Sequence, residues 1–122
     1  MAKLTVKDLF EKKGKVKLTE LYVTNALEAY AAEKAGIDIQ IVSFKKETLR
    51  TGVPTNRWFR DAHIKDIREA APNTFMIFGL GQLSSTEKAI DAALIARDNG
   101  ADAVYCGNSP KYIEALRKEG LP

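Results

Sequence analysis

In this 122-residue chain, glycines and polar residues that follow short apolar runs carry the chemistry. Ser43 and Lys45 follow one run, Gly79, Gln82 and Ser84 the next, and Tyr105, Asn108 and Ser109 close or follow the last. Hydroxyls, amides, glycine main chain and a lysine suit a carboxylate or phosphate better than a bare divalent metal. Helix N-termini add free N–H groups and partial positive charge, worth about 0.3–1 kcal/mol toward an anion at exposed positions. The same serines can also cap their own helices, for about 1 kcal/mol each. Two residues are candidates for acting on a bound molecule. Cys106 stands just before a helix start, where thiolate is favoured, although a lone cysteine in an apolar run also packs as a small hydrophobe. Glu20 is the carboxylate of the first run, and as a metal ligand it would need help from another chain. His63, the only histidine, falls mid-helix without a partner recognisable from sequence. Gly79-Leu80-Gly81 lacks the third glycine and distal acid of a dinucleotide fingerprint.

The elements that must hold these residues alternate. Thr5 to Lys13 reads as a short helix, with Thr5 and Asp8 spaced for capping and Gly14 as its stop. Lys15 to Val23 is the first strand candidate. Thr24 is the expected cap of a helix to about Lys34, with Leu27, Tyr30 and Ala31 on its inner face. Ile37 to Val42 is the second strand. Ser43 to Asn56 reads as an irregular loop through Gly52, Pro54 and Asn56, and Trp58 to Ala70 as a helix. Thr74 to Phe78 is the third strand, and Ser84 with Glu87 forms the expected capping box of a helix from Thr86 to Asp98. Ala103 to Cys106 is the fourth strand. Ser109-Pro110 then opens a final helix to Glu119, a hydroxyl cap followed by proline at the first turn.

An internal echo supports this parse. Glu33-Lys34-Ala35-Gly36-Ile37-Asp38 and Arg97-Asp98-Asn99-Gly100-Ala101-Asp102 share one plan: helix end, glycine, apolar residue, aspartate, strand. Repeated βα units explain two such junctions. The two aspartates are expected at strand entries, away from any active site, because barrel chemistry sits at strand C-termini.

Composition narrows the class. With 45% hydrophobic residues, the chain reads as one α/β domain over residues 1–122. No apolar run reaches the length of a signal peptide core or a membrane span, and the single cysteine excludes an intrachain disulfide, so a cytoplasmic protein without a membrane role is expected. The net charge of +3 resides entirely between Lys45 and Glu69, where seven basic residues outnumber four acids. Trp58 and Phe59 among those cations could bind nucleic acid. The interspersed acids favour a solvated helix whose aromatics pack inward.

Several stretches together resemble the ketopantoate hydroxymethyltransferases, metal-dependent (βα)8 barrels related to the phosphoenolpyruvate mutase superfamily. They are Leu4-Thr5-Val6-Lys7-Asp8-Leu9, Lys17-Leu18-Thr19, Glu33 to Asp38 leading into Ile41-Val42, and Gly100-Ala101-Asp102-Ala103-Val104. Their order fits the N-terminal half of that family across nearly the whole chain. The resemblance implies a half-barrel of four parallel βα units, the alternative being an open doubly wound sheet. It also implies hydroxymethyl transfer to a small 2-oxo acid, in pantothenate biosynthesis, with Mg2+ as the family metal. The family's magnesium aspartate, in Val-Gly-Asp-Ser, is replaced here by Ser43-Phe44-Lys45 after Val42. The other family carboxylates and lysine fall near Gly79, Tyr105 and Gly107, so no metal ligand is assigned.

A (βα)8 barrel usually takes about 200 residues or more. The expected arrangement is therefore a homo-oligomer or a second chain completing the barrel, the alternative being a truncated product. The functional expectation is a divergent aldol-type transferase or lyase acting on a small oxoacid or phosphate. The alternative is a non-catalytic anion-binding or assembly module of the same fold.

Overall fold

The computed structural model describes residues 3–43, 57–81, 83–107 and 109–122, the side chains of 43 and 57–63 excepted. Lys45, Gln82 and Asn108, the loop expected at Ser43 to Asn56 beyond its first residue, and the side chains of Trp58, Phe59 and His63 lie outside the described residues.

Helix α1 (Val6–Lys12) opens on a full capping box: Thr5 accepts from the Asp8 N–H, and Asp8 accepts from the Thr5 N–H. Then come β1 (Glu20–Val23), α2 (Ala26–Lys34), β2 (Ile39–Ser43), α3 (Arg57–Ala70), β3 (Phe75–Gly79), α4 (Thr86–Asp98), β4 (Ala103–Tyr105) and α5 (Pro110–Lys118). The strands form one parallel sheet in the order β1-β2-β3-β4. The order never reverses, so crossovers of one hand carry α2 to α5 to a single face. The open doubly wound sheet, which needs a reversal and helices on both faces, is not found.

Side-chain parity shows which face is covered. Val23, Val42, Met76 and Phe78 pack with Ala29 and Ala32 of α2, Ile64 and Ile67 of α3, and Ala96 of α4. Ala89, Ala93, Leu116 and Leu121 form a second cluster against Val104. On the opposite face Tyr22, Ile41, Ile77 and Ala103 stand level in register and are half-buried.

Three local expectations are corrected. The inner face of α2 is Ala29 and Ala32, whereas Leu27 and Tyr30 are 76% and 52% exposed and Ala31 is exposed too. Alanines let the helix lie close to the sheet, and hydrophobic size alone does not reveal that choice. The first strand spans only Glu20–Val23, because β2, its one neighbour, begins opposite Glu20 at Ile39. The caps of α2 and α4 are Asn25 and Ser85, each one residue beyond the expected Thr24 and Ser84.

The echoed junctions do the same work twice. Gly36 and Gly100 take positive φ values of 83° and 112°, ending α2 and α4 in a backbone region that other residues rarely adopt. Each following aspartate then ties down the preceding strand at its amino end. Asp38 accepts from the N–H and hydroxyl of Thr19 at 2.8 and 3.0 Å. Asp102 accepts from the Met76 N–H at 2.9 Å, from Arg68 at 3.0 Å and from Lys3 at 2.6 Å. Arg68 also donates to the carbonyls of Gly100, Ala71 and Thr74. Its side chain fills the space a Cβ at residue 100 would need, with Arg68 Cγ only 2.6 Å away. Glu33 adds a further tie, accepting from the Asn73 N–H and the Thr74 hydroxyl at 2.6 and 3.0 Å.

Candidate functional site at the strand carboxyl ends

The opposite, carboxyl ends of the strands gather most of the expected site residues. Ser43, Gly79 and Tyr105 stand level across β2, β3 and β4. Tyr105 lies across the end of β3. A Cβ on Gly79 would fall 2.5 Å from both Cζ and Oη of the tyrosine, so glycine is what admits the ring there. The Leu80 N–H donates to the Tyr105 carbonyl at 3.1 Å and fastens the two strand ends together. Cys106 follows directly and is half-buried. Tyr22 stands one layer below, level with Ile41, Ile77 and Ala103.

The hydroxyls divide by use. Ser109 caps α5, its Oγ accepting from the Lys111 N–H at 3.3 Å. Ser84 is exposed, and its neighbour Ser85 takes the capping role, accepting from the Lys88 N–H at 3.2 Å. Glu20 opens β1, so it stands at the amino end of the sheet, away from the other site residues. Helix positions thus consume some of the expected anion-binding hydroxyls, while the phenols of Tyr22 and Tyr105 and the thiol of Cys106 belong to the strand ends.

One strand-end carboxylate escaped the sequence reading. Glu28, in the first turn of α2, accepts from the Thr24 N–H at 2.7 Å and the Thr24 hydroxyl at 2.9 Å, just past the end of β1. The signal was present as Asn25 followed three residues later by Glu28, the capping-box spacing. Assigning the cap to Thr24 hid it.

Among the described residues no group of three or more His, Cys, Asp or Glu side chains could hold a metal ion. Magnesium takes oxygen ligands, usually with at least one carboxylate. The described strand ends offer phenol, hydroxyl, thiol and one carboxylate already engaged by Thr24. That donor set does not fit magnesium.

No family model matches the chain. Curated relatives do. It is 32% identical over 122 residues to the 3-methyl-2-oxobutanoate hydroxymethyltransferase of Thermosipho melanesiensis, covering 94% of this chain and 46% of the relative. The enzymes of the same name from Thermosipho africanus and Staphylothermus marinus are 28% and 25% identical, covering 94% and 100% of this chain and 46% and 49% of theirs. The chain is a divergent, half-length relative of the 3-methyl-2-oxobutanoate hydroxymethyltransferases. It spans about half the length of each curated relative. Among solved structures, 2,3-dimethylmalate lyase, a PEP mutase/isocitrate lyase superfamily member, superposes with a TM-score of 0.67 at 13% identity. That match covers 97% of this chain and 50% of the lyase. The four βα units therefore have the fold of half of that lyase chain. No helix among the described residues is long and apolar enough to cross a membrane.

Proposed function

We propose that this chain is one half of an enzyme that binds a small 2-oxo acid at the carboxyl ends of its strands for aldol-type transfer or cleavage. The location proposed with it is the cytoplasm, in keeping with a single cysteine. The observation that carries the reading is Tyr105 laid across Gly79, level with Ser43, in a chain whose relatives are hydroxymethyltransferases of a 2-oxo acid. A phenol at that place can donate to a carboxylate or to a developing enolate oxygen, the charge that aldol chemistry must stabilise. Cys106 is the candidate for covalent or proton-transfer work beside it. Glu20 has no such role from the amino end of β1. Among the described residues the magnesium of the family finds no matching donor set, and no step is assigned to a metal.

One arrangement favours a second reading, a binding or assembly module without catalysis. The Ser85 and Ser109 hydroxyls and the Glu28 carboxylate are committed to main-chain N–H groups of their own helices or strand ends. Titration calorimetry with 3-methyl-2-oxobutanoate separates these readings from no binding at all. The expected result is saturable binding near about 1 mM or tighter, weakened about tenfold by Tyr105→Phe through loss of a hydrogen bond to a charged group. Saturable binding without turnover of the oxoacid and a one-carbon donor would favour the module. Absence of saturation would overturn the site.

A further inference from the structure

We propose that a cavity between the last turn of α2 and the turn leading into β3 binds a small α-amino acid, at the opposite end of the sheet from the strand carboxyl ends. The cavity measures about 260 Å³ and is lined by Glu33, Lys34, Gly36, Ile37, Asn73 and Thr74. A single water needs only about 10–15 Å³, so a molecule of several non-hydrogen atoms has room there. The two echoed junctions differ in what fills them. At Gly100 a Cβ would meet Arg68 Cγ at 2.6 Å, and the guanidinium bonds three carbonyls and the Asp102 carboxylate. At Gly36 a Cβ would meet nothing within 4 Å. The chain plugs one junction with its own cation and leaves the space beside the other open.

The open space carries charges of both signs. Glu33 spends one oxygen, Oε1, on the Asn73 N–H and the Thr74 hydroxyl, and among the described residues its Oε2 accepts nothing. The last turn of α2 adds the partial negative charge of a helix carboxyl end. An ammonium group suits this side, and it can take Oε2 while the ties to Asn73 and Thr74 stay in place. Lys34 is exposed, its ammonium 5.4 Å from the centre of the Tyr30 ring and without a carboxylate partner among the described residues. The exposed Asn73 carboxamide makes no hydrogen bond among them either. Those two groups suit a carboxylate. Glu33 and Lys34 are neighbours in the chain, so both ligand charges must sit on one short molecule.

The layer behind the cavity is polar as well. Thr74, Met76 and Phe78 alternate onto the helix-facing side of β3, and Gln40 stands beside Met76 in register, one row deeper than Thr74. Gln40 is fully buried, and neither its Oε1 nor its Nε2 has a hydrogen-bond partner. Buried side-chain amides are nearly always paired. A ligand seated with its ammonium inward and its carboxylate outward, at Lys34 and Asn73, brings donors toward this carboxamide. Ile37 supplies an apolar wall for a small side chain.

Amide resonances of the full chain, followed during titration with L-alanine, test the site. The expected result is saturable shifts at Gly36, Asn73 and Thr74 with a Kd on the order of 1–10 mM, within the ceiling for a ligand of about six non-hydrogen atoms. Propionate and ethylamine each lack one of the two charges and should bind at least about threefold more weakly. Glu33→Gln keeps an oxygen for Asn73 and Thr74 but loses the charge, and should weaken L-alanine about tenfold. Lys34→Met alters an exposed side chain outside those ties and should weaken it about threefold, with an unchanged circular dichroism spectrum. Absence of saturation, equal binding of propionate or ethylamine, or unchanged affinity in both variants would overturn the proposal. Shifts confined to Tyr22, Gly79, Tyr105 and Cys106 would overturn it too, by sending the amino acid to the other end of the sheet. Gln40→Met should also weaken binding, and unchanged affinity there would remove Gln40 from the site.

Discussion

The two ends of the parallel sheet are built differently. At the amino end, charged groups interlock: Asp102 holds Lys3, Arg68 and the Met76 main chain, Asp38 holds Thr19, and Glu33 holds Asn73 and Thr74. At the carboxyl end a tyrosine ring lies on a glycine, and the Glu28 carboxylate holds the Thr24 main chain and hydroxyl. The contrast matches the division of labour in barrels, where one end of the strands holds the fold and the other is left to bind. Rigidity at the closed end fixes the strand spacing on which Ser43, Gly79 and Tyr105 depend for their common level.

Substitutions should break this contrast in order of size. Asp102→Ala leaves Arg68 without its carboxylate in a setting where both side chains are about 15% exposed. Removing one partner of a pair so enclosed costs about 3–5 kcal/mol, a large share of the 5–15 kcal/mol typical of a whole domain. A denaturant midpoint should fall accordingly, and a loss below about 1 kcal/mol would show that the amino end is not the anchor. Asp38→Ala removes two exposed hydrogen bonds and should cost about 1–2 kcal/mol, with faster amide exchange confined to β1.

At the other end, Gly79→Ala should cost about 1 kcal/mol, less than a rigid clash, because the outer end of a part-exposed ring has to move. Its signature is displacement of the Tyr105 ring resonances. In a Tyr105→Ala background the cost should disappear to within about 0.5 kcal/mol, and persistence would mean that glycine is needed for some other reason. The smallest effect belongs to α1. Hydrogen bonds from the main chain and hydroxyl of Thr5 hold the Asp8 carboxyl below its ordinary value. A depressed folded-state value adds stability above the unfolded one, and that stability is lost as pH falls through the folded value. Acidification should therefore loosen the first turn of α1, seen at the Asp8 amide, and Asp8→Asn should abolish that pH dependence.

Much of the fold was legible because its signals are local. Gly36 and Gly100 announce helix ends through a backbone region few other residues enter, and the aspartates two residues later were expected at the amino end, where they stand. The caps Thr5 and Ser109 were legible to the residue, those of α2 and α4 only to within one. Ser84-Ser85 and Thr24-Asn25 each offer two side-chain oxygens in succession, and which one caps depends on where the preceding strand releases the chain. The inner face of α2 was misread because burial there follows closeness to the sheet, which favours Ala29 and Ala32 over the larger Leu27 and Tyr30. The Tyr105–Gly79 contact and the Glu28–Thr24 pair set the character of the site, and neither follows from composition. The first needs the register of β3 against β4, and the second needs the true start of α2.

The central claim is that the carboxyl ends bind and the amino ends hold. Amide and side-chain resonances followed during titration with 3-methyl-2-oxobutanoate test it directly. The account predicts saturable shifts at Tyr22, Gly79, Tyr105 and Cys106, with Thr19, Asp38, Arg68 and Asp102 unmoved. Shifts centred on the amino-end residues, or no saturable shift anywhere, would contradict it.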